Sequence, residues 1–166
     1  MITVVSATAR PDSMTQQVSN YYSSILAESN VSFQEFSLAG LTYWHREPGF
    51  LDAETRLIIP ATKFIFVMPE YNGSFPGSIK SFIDNSDIKA CWWGKKALLT
   101  GISDGRAGNL RGLEHMTAVL HYLRVDVHYN KLPISRIREE FDPQGRILKP
   151  ATEEAIRLQV EQFIAY

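Results

Sequence analysis

The stretch Phe64-Ile65-Phe66-Val67-Met68, led by Lys63 and stopped by Pro69, restricts the fold of this chain more than any other feature. No polar residue interrupts it. Such runs are typical of strands covered on both faces, as in a parallel sheet. The rest of the chain supplies partners in alternation. Ile2–Ser6 is a second apolar, β-branched run that reads as a buried strand. Ser13, three residues before Gln16, has capping-box spacing for a helix start. Val18, Tyr21, Tyr22, Ile25 and Leu26 give that helix an apolar stripe, ended by Ser29-Asn30. Val31–Leu38 reads as a strand, 39–50 as irregular, and Ala53–Ile59 as a short helix before Pro60. A helix is expected from Pro76, carrying Ile79, Phe82 and Ile83. Lys96–Thr100 is the next strand, followed by a helix over Leu110–Leu123. Val125–Tyr129 reads as the last core strand and Ala151–Ala165 as the closing helix. Strand and helix alternating in this way predict a parallel sheet with helices on both faces, joined by right-handed crossovers.

The 166 residues contain no repeat, no low-complexity tract and no dividing linker, so 1–166 is read as one domain. The most loop-like segment, Asn130–Leu148, is too short for a second one. Seventeen basic and eighteen acidic residues leave a net charge of −1, which excludes a global field for nucleic acid or an anionic membrane. No apolar run approaches the roughly 20 residues of a bilayer span. The first residues lack a basic, cleavable leader, so the cytoplasm is the expected location. Cys91 is the lone cysteine and cannot close an intrachain disulfide.

In open α/β sheets, ligands bind beyond the carboxyl ends of the strands, and three loops there have unusual composition. The first, from Ala7 to Thr15, offers the hydroxyls of Thr8, Ser13 and Thr15 and the guanidinium of Arg10 at a helix N-terminus. That is what a phosphate group needs. It lacks both G-x-x-x-x-G-K-[ST] and G-x-G-x-x-G, and an ordinary solvated serine cap would look the same. The second, from Pro69 to Gly77, has two prolines and two glycines and sets Tyr71 where it can lie against a flat ligand. Asn72-Gly73 is equally a plain turn pair. The third, from Gly101 to Asn109, has glycines at 101, 105 and 108, which permit close backbone approach or merely a flexible connection.

Together the loops resemble the NAD(P)H-dependent FMN reductases, flavodoxin-like enzymes that include quinone, azo-compound and chromate reductases. Pro69 to Gly77, with Lys80 and Phe82-Ile83-Asp84, follows the family's PEYNGSxPGxLKNxID almost letter for letter. Gly105-Arg106, Gly108 and Leu110-Arg111 are similar to its GGRxGGLR pattern, and Arg10 and Ser13 to its GSxRxxSxN pattern. The resemblance spans roughly positions 2 to 129. Ala7 and Thr8 stand where the family has glycine and serine, Thr15 where it often has asparagine, and Asp104 and Asn109 where it has glycines. Ala7 and Asn109 are expected to alter backbone angles.

The resemblance implies a flavodoxin-like, five-stranded parallel sheet in the order 2-1-3-4-5. It implies noncovalent FMN, with NAD(P)H as co-substrate and a small electron acceptor. Thr8, Arg10, Ser13, Met14 and Thr15 would hold the phosphate. Pro69, Glu70, Tyr71, Asn72, Gly73 and Ser74 would frame the ring from one loop, and Ser103, Asp104, Gly105 and Arg106 from the other. The flavin N5 would carry hydride in a ping-pong mechanism, so no protein nucleophile or metal is required. The alternative is an FMN-binding electron-transfer or regulatory module without nicotinamide turnover. Such carriers are commonly strongly acidic, and a net charge of −1 does not match them. A cofactor-free domain that kept the fold is a third reading.

Other conspicuous residues are read as structural. His45, His115, His121 and His128 show no i,i+4 metal pairing, and His115 and His121 are read as helix surface or packing. Cys91 is read as a packing cysteine, Trp92-Trp93 as a core edge or subunit contact, and Glu70 as a structural hydrogen-bonding group. Apolar and aromatic residues around Ile79, Phe82, Ile83, Met116, Val119, Leu120, Tyr122 and Leu123 exceed one sheet-facing stripe. A homodimer, or a dimer of dimers, is therefore expected.

Overall fold

A computed structural model describes the whole chain, Met1–Tyr166. The apolar run is strand β3, Lys63–Pro69, and it lies in the middle of a parallel sheet. It pairs with β1 (Ile2–Ser6) on one side and β4 (Lys96–Ile102) on the other, in register Ile65 with Val4 and with Leu98. β2 (Phe33–Ser37) lies beyond β1 and β5 (Asp126–Val127) beyond β4, so the order is β2-β1-β3-β4-β5, the flavodoxin order.

Side chains alternate across the sheet, so the run feeds two cores at once. Phe64, Phe66 and Met68 join Val5, Ala97 and Leu99 under helices α3 (Gly77–Asn85) and α5 (Leu110–Tyr122). Ile65 and Val67 join Val4, Leu98 and Ile102 under α1 (Met14–Glu28) and α7 (Pro150–Ala165). This is the physical reason that the run needs no polar position. The expected flavodoxin-like α/β architecture is present.

Several boundaries differ from the sequence reading. β2 is shorter than Val31–Leu38: the Val31 N–H still bonds Leu26 O of α1 at 3.0 Å, and pairing with β1 runs only from Phe33 to Ser37. The expected helix at Ala53–Ile59 is instead a short helix α2 (Pro48–Ala53), opened by Pro48, that runs into a π turn over Glu54–Ile58. That turn carries a carboxylate that no sequence pattern singles out. Glu54 is buried and is held by both terminal nitrogens of Arg46 (3.0 and 2.8 Å) and by the Asp87 N–H at 2.7 Å. Burial alone would raise its pKa. The Arg46 and Asp87 hydrogen bonds overcome this and hold it below the usual carboxylate range. A further short helix, α4 (Ile88–Cys91), is capped by the Asp87 side chain. Cys91 is buried there, its thiol pushed up to about 12 by burial and the neighbouring Glu54. Trp92 packs on Phe64 in the core, while Trp93 lies at the surface under the Arg124 guanidinium.

The fifth strand is the main correction. Val125–Tyr129 does not form one strand, and the sheet has six strands, not five. Only Asp126–Val127 (β5) pairs with the start of β4, and Leu132–Ile134 (β6), from the segment read as a loop, pairs with its end. Between them the Leu99 carbonyl would lack a partner. The fully buried amide of Gln159, on α7, fills the gap by donating to Leu99 O (3.1 Å) and Asn130 O (2.7 Å). Its oxygen accepts from Tyr22 and Thr100, at 2.6 and 3.1 Å.

Candidate active site

At the carboxyl ends of β1, β3 and β4 the three loops converge on a cleft of about 640 Å³. Thr8, Arg10, Ser13, Met14 and Thr15 of the first loop line it, with Pro69, Glu70 and Tyr71 of the second and Ser103 and Asp104 of the third. The remaining expected residues do not. Asn72, Gly73 and Ser74 form the outer turn, closed by reciprocal backbone bonds between Tyr71 and Ser74 of 2.8 and 3.1 Å. Asn72 and Gly73 take the left-handed φ values, 51° and 77°, that this turn requires. Gly105 and Arg106 are exposed at the tip of the third loop.

The first loop leads into α1, whose Ser13 hydroxyl accepts the Gln16 N–H at 3.2 Å. The reciprocal half of the capping box is absent, because the Gln16 amide turns outward to Asn20 at 2.8 Å. Ala7 needs no glycine-like angle: it is buried, has no positive φ, and donates to Val67 O at 3.0 Å. The first and second loops are joined directly. The Tyr71 hydroxyl lies 3.0 Å from Thr8 Oγ1, and the Arg10 guanidinium lies over the Tyr71 ring, 4.7 Å from its centroid. Glu70 makes its structural bond through its backbone N–H, to Ile102 O at 2.9 Å, rather than through its carboxylate.

The third loop is fixed by close backbone approach. A Cβ on Gly101 would lie 2.3 Å from Gly108 O, and one on Gly108 would lie 2.6 Å from Ile134 N. Ser103 closes the loop on itself, its hydroxyl accepting from Gly108 N at 3.0 Å and donating to Gly105 O at 3.2 Å. Asn109 does not distort the loop as the sequence suggested. It takes φ 61°, the left-handed conformation a glycine would take, which asparagine tolerates best among other residues. Its buried side-chain amide then donates to Met68 O (3.1 Å) and Pro69 O (3.0 Å), tying the third loop to the root of the second. Gly112, one helical turn on, leaves the room this needs: a Cβ there would lie 2.1 Å from Asn109 Oδ1.

Sequence reasoning missed the fourth wall. The segment from Ile134 through α6 (Ile137–Glu140) to Pro143 folds back over the cleft, contributing Ile137, Arg138, Phe141 and Pro143. The composition of Asn130–Leu148 marks it as loop-like, but nothing in it signals where that loop lies. Backbone bonds anchor it to the third loop, from Arg136 N to Gly105 O and from Ile137 N to Ser103 O, at 2.9 and 3.0 Å. His115, read as helix surface or packing, is exposed on α5 and has Nδ1 2.9 Å from the Ser74 hydroxyl at the outer turn.

The cleft volume falls within the usual range for cofactor sites. Its donor set comprises hydroxyls, a guanidinium and the positive end of a 15-residue helix at one corner, with glycine-tight backbone and an aromatic ring beside it. This set fits a phosphorylated, flat, polycyclic group such as FMN.

Comparison with known proteins agrees with this chemistry. A sequence model described as NADPH-dependent FMN reductase matches residues 1–135. An NAD(P)H-dependent FMN reductase of Pseudomonas aeruginosa is 31% identical over 147 residues, covering 82% of this chain and 78% of that one. A 2-hydroxy-1,4-benzoquinone reductase of a Burkholderia species is 26% identical over 174 residues, covering 99% of this chain and 94% of that one. Among solved structures, the flavoenzyme NAD(P)H:(acceptor) oxidoreductase FerB of Paracoccus denitrificans superposes with a TM-score of 0.82 at 21% identity. That match covers 99% of this chain and 95% of the other.

Proposed function

Because the chain belongs to the NADPH-dependent FMN reductase family, an oxidoreductase family that uses FMN with NAD(P)H as co-substrate, we propose that it reduces a small quinone-like acceptor in a ping-pong cycle at this cleft. The observation that carries the reading is the convergence of the first, second and third loops on one cleft whose donor set suits FMN. When bound, FMN would supply hydride acceptance and donation at N5. The chain's own work is binding and orientation. Arg10, Ser13, Thr15 and the N-terminus of α1 hold the phosphate. Pro69, Glu70 and Tyr71 on one side and Ser103 and Asp104 on the other bound the space left for the ring. The Asn109 bonds to Met68 O and Pro69 O keep those two loops at a fixed spacing, so little is left to organise when cofactor enters. Nucleotide and acceptor use the open side of the same cleft in turn, which is why the order is ping-pong.

A quinone is preferred as acceptor because the Burkholderia relative, matched almost end to end, is named for one. A cytoplasmic location belongs to the same proposal, in keeping with a free, buried Cys91 and no helix long and apolar enough to cross a membrane. So does the homodimer. The groove between α3 and α5, about 400 Å³ and lined by Ile83, Ile88, Val119, Tyr122 and Leu123, is the surface it would use.

Anaerobic mixing of the FMN-loaded protein with NADPH or NADH tests the function. The flavin absorbance band should bleach within the mixing series and return when a benzoquinone is added. A band that persists through excess of both nucleotides overturns the reductase reading and leaves an electron-transfer or regulatory module.

A further inference from the structure

Two guanidinium groups line the cleft, Arg10 from the first loop and Arg138 from α6, and three carboxylates face the same space, Asp12, Glu70 and Asp104. Two positive against three negative charges leave the cleft one unit short. A flavin phosphate would add about 1.5 to 2 further negative charges. Arg10 alone does not balance that, and its guanidinium also packs on the Tyr71 ring.

Arg138 is placed to supply the rest. The α6 segment lies along the first turns of α1. The Gln17 amide donates to Pro143 O at 2.9 Å, and the Tyr21 ring meets Phe141 edge-on at 5.8 Å. The wall bearing Arg138 is thus held against α1, and Arg138 lines the same cleft as Ser13, Met14 and Thr15 at the start of that helix. The backbone on the N-terminal side of Arg138 is fixed by the bonds of Arg136 and Ile137 to the third loop. Its side chain is 73% exposed and bound only to Asp104, 67% exposed, with Nε 3.1 Å from Oδ1. An exposed pair of this kind is weak and exchanges readily for a better anion. Asp104 also occupies a position where the resembling family has glycine, so the pair is not a fixed feature of the family motif.

We propose that Arg138 is a second binding residue for the FMN phosphate, and that Asp104 holds it ready and competes for it. The proposal rests on the reading that FMN enters this cleft with its phosphate at the first loop. A guanidinium suits the role because it can present two parallel N–H donors to phosphate oxygens.

The test titrates the full-length protein, freed of flavin, with FMN and with riboflavin, following flavin fluorescence in the wild type, Arg138→Gln, Arg138→Lys, Asp104→Asn and Arg10→Ala. Equal melting temperatures without flavin establish that the variants are folded. Arg138→Gln should weaken FMN on the order of tenfold and leave riboflavin unchanged. Arg138→Lys should recover part of the loss, and Asp104→Asn should raise the preference for FMN over riboflavin severalfold. The proposal is overturned if Arg138→Gln weakens both flavins equally or neither, while Arg10→Ala still abolishes the preference for FMN; the phosphate placement then survives alone. If Arg10→Ala also leaves the preference intact, the phosphate lies elsewhere and both statements fall. Should Arg138→Gln not fold, the opposite responses expected of Arg138→Lys and Asp104→Asn decide the matter, and a shared direction overturns it.

Discussion

Asn109 concentrates the residue-scale logic of the site. Its backbone does what a glycine would do, and its side chain adds two bonds that a glycine has no means to make. The two contributions can be separated. Asn109→Gly keeps the left-handed conformation and loses the amide. Asn109→Ala loses the amide and also strains the backbone. Each lost bond is worth about 0.5–1.5 kcal/mol, and an alanine in the left-handed region costs a further 1–2 kcal/mol or so. Urea denaturation should therefore rank wild type above Asn109→Gly, and Asn109→Gly above Asn109→Ala. Equal midpoints for the two variants would show that the φ of 61° carries no cost. The residue was visible in the sequence only as a departure from a glycine pattern. Its benefit depends on the carbonyls of Met68 and Pro69, some 40 positions away, and no local pattern encodes that pairing.

At the scale of elements, what could be read early was what periodicity controls. The unbroken run of β3 announced a strand covered twice, and the stripe on α1 announced a helix over one face. The break in the last strand could not be read in the same way. Val125–Tyr129 has the composition of a strand, but its ladder stops at His128, whose Nδ1 takes the Asn130 N–H at 3.3 Å. The gap is then closed by a helix from the far end of the chain. Gln159 is fully buried and uses both ends of its amide, so its removal should be costly. Gln159→Leu, close in size, leaves Leu99 O and Asn130 O unpaired and should destabilise by about 2–4 kcal/mol. Tyr22→Phe keeps the Gln159–Thr100 bond and should cost nearer 1 kcal/mol. Chemical denaturation of the two variants checks the order; a Gln159→Leu protein within 0.5 kcal/mol or so of wild type would remove the amide from the account. The fourth cleft wall escaped for a related reason: the sequence marks α6 and its turn as irregular, and it is distant contacts, with the third loop and with Gln17 and Tyr21 of α1, that hold them over the cleft.

For the molecule as a whole, the sheet presents its cleft to one side and leaves one conspicuous apolar surface elsewhere. Tyr122 is 85% exposed and Ile88 47%, beside the α3–α5 groove. Both helices begin at cleft loops, so a twofold contact there would bring each cleft near the other subunit. Tyr122→Glu should convert a dimer into a species near the 18.8 kDa chain mass by sedimentation and lower turnover with it. A wild type that sediments as a monomer at micromolar concentration would end the dimer proposal. The divided fifth position bears on how copies of this chain can meet at all. An unbroken outer strand offers a continuous row of free N–H and C=O groups, onto which another chain can add and keep adding. Here that rim consists of Asp126–Val127, with the His128 N–H still bonded to Ala97 O, then Tyr129–Lys131, which do not follow the ladder, then three more residues. Strand-to-strand growth finds no long template along it. The break closed by Gln159 thus denies strand addition a continuous template on this side of the sheet.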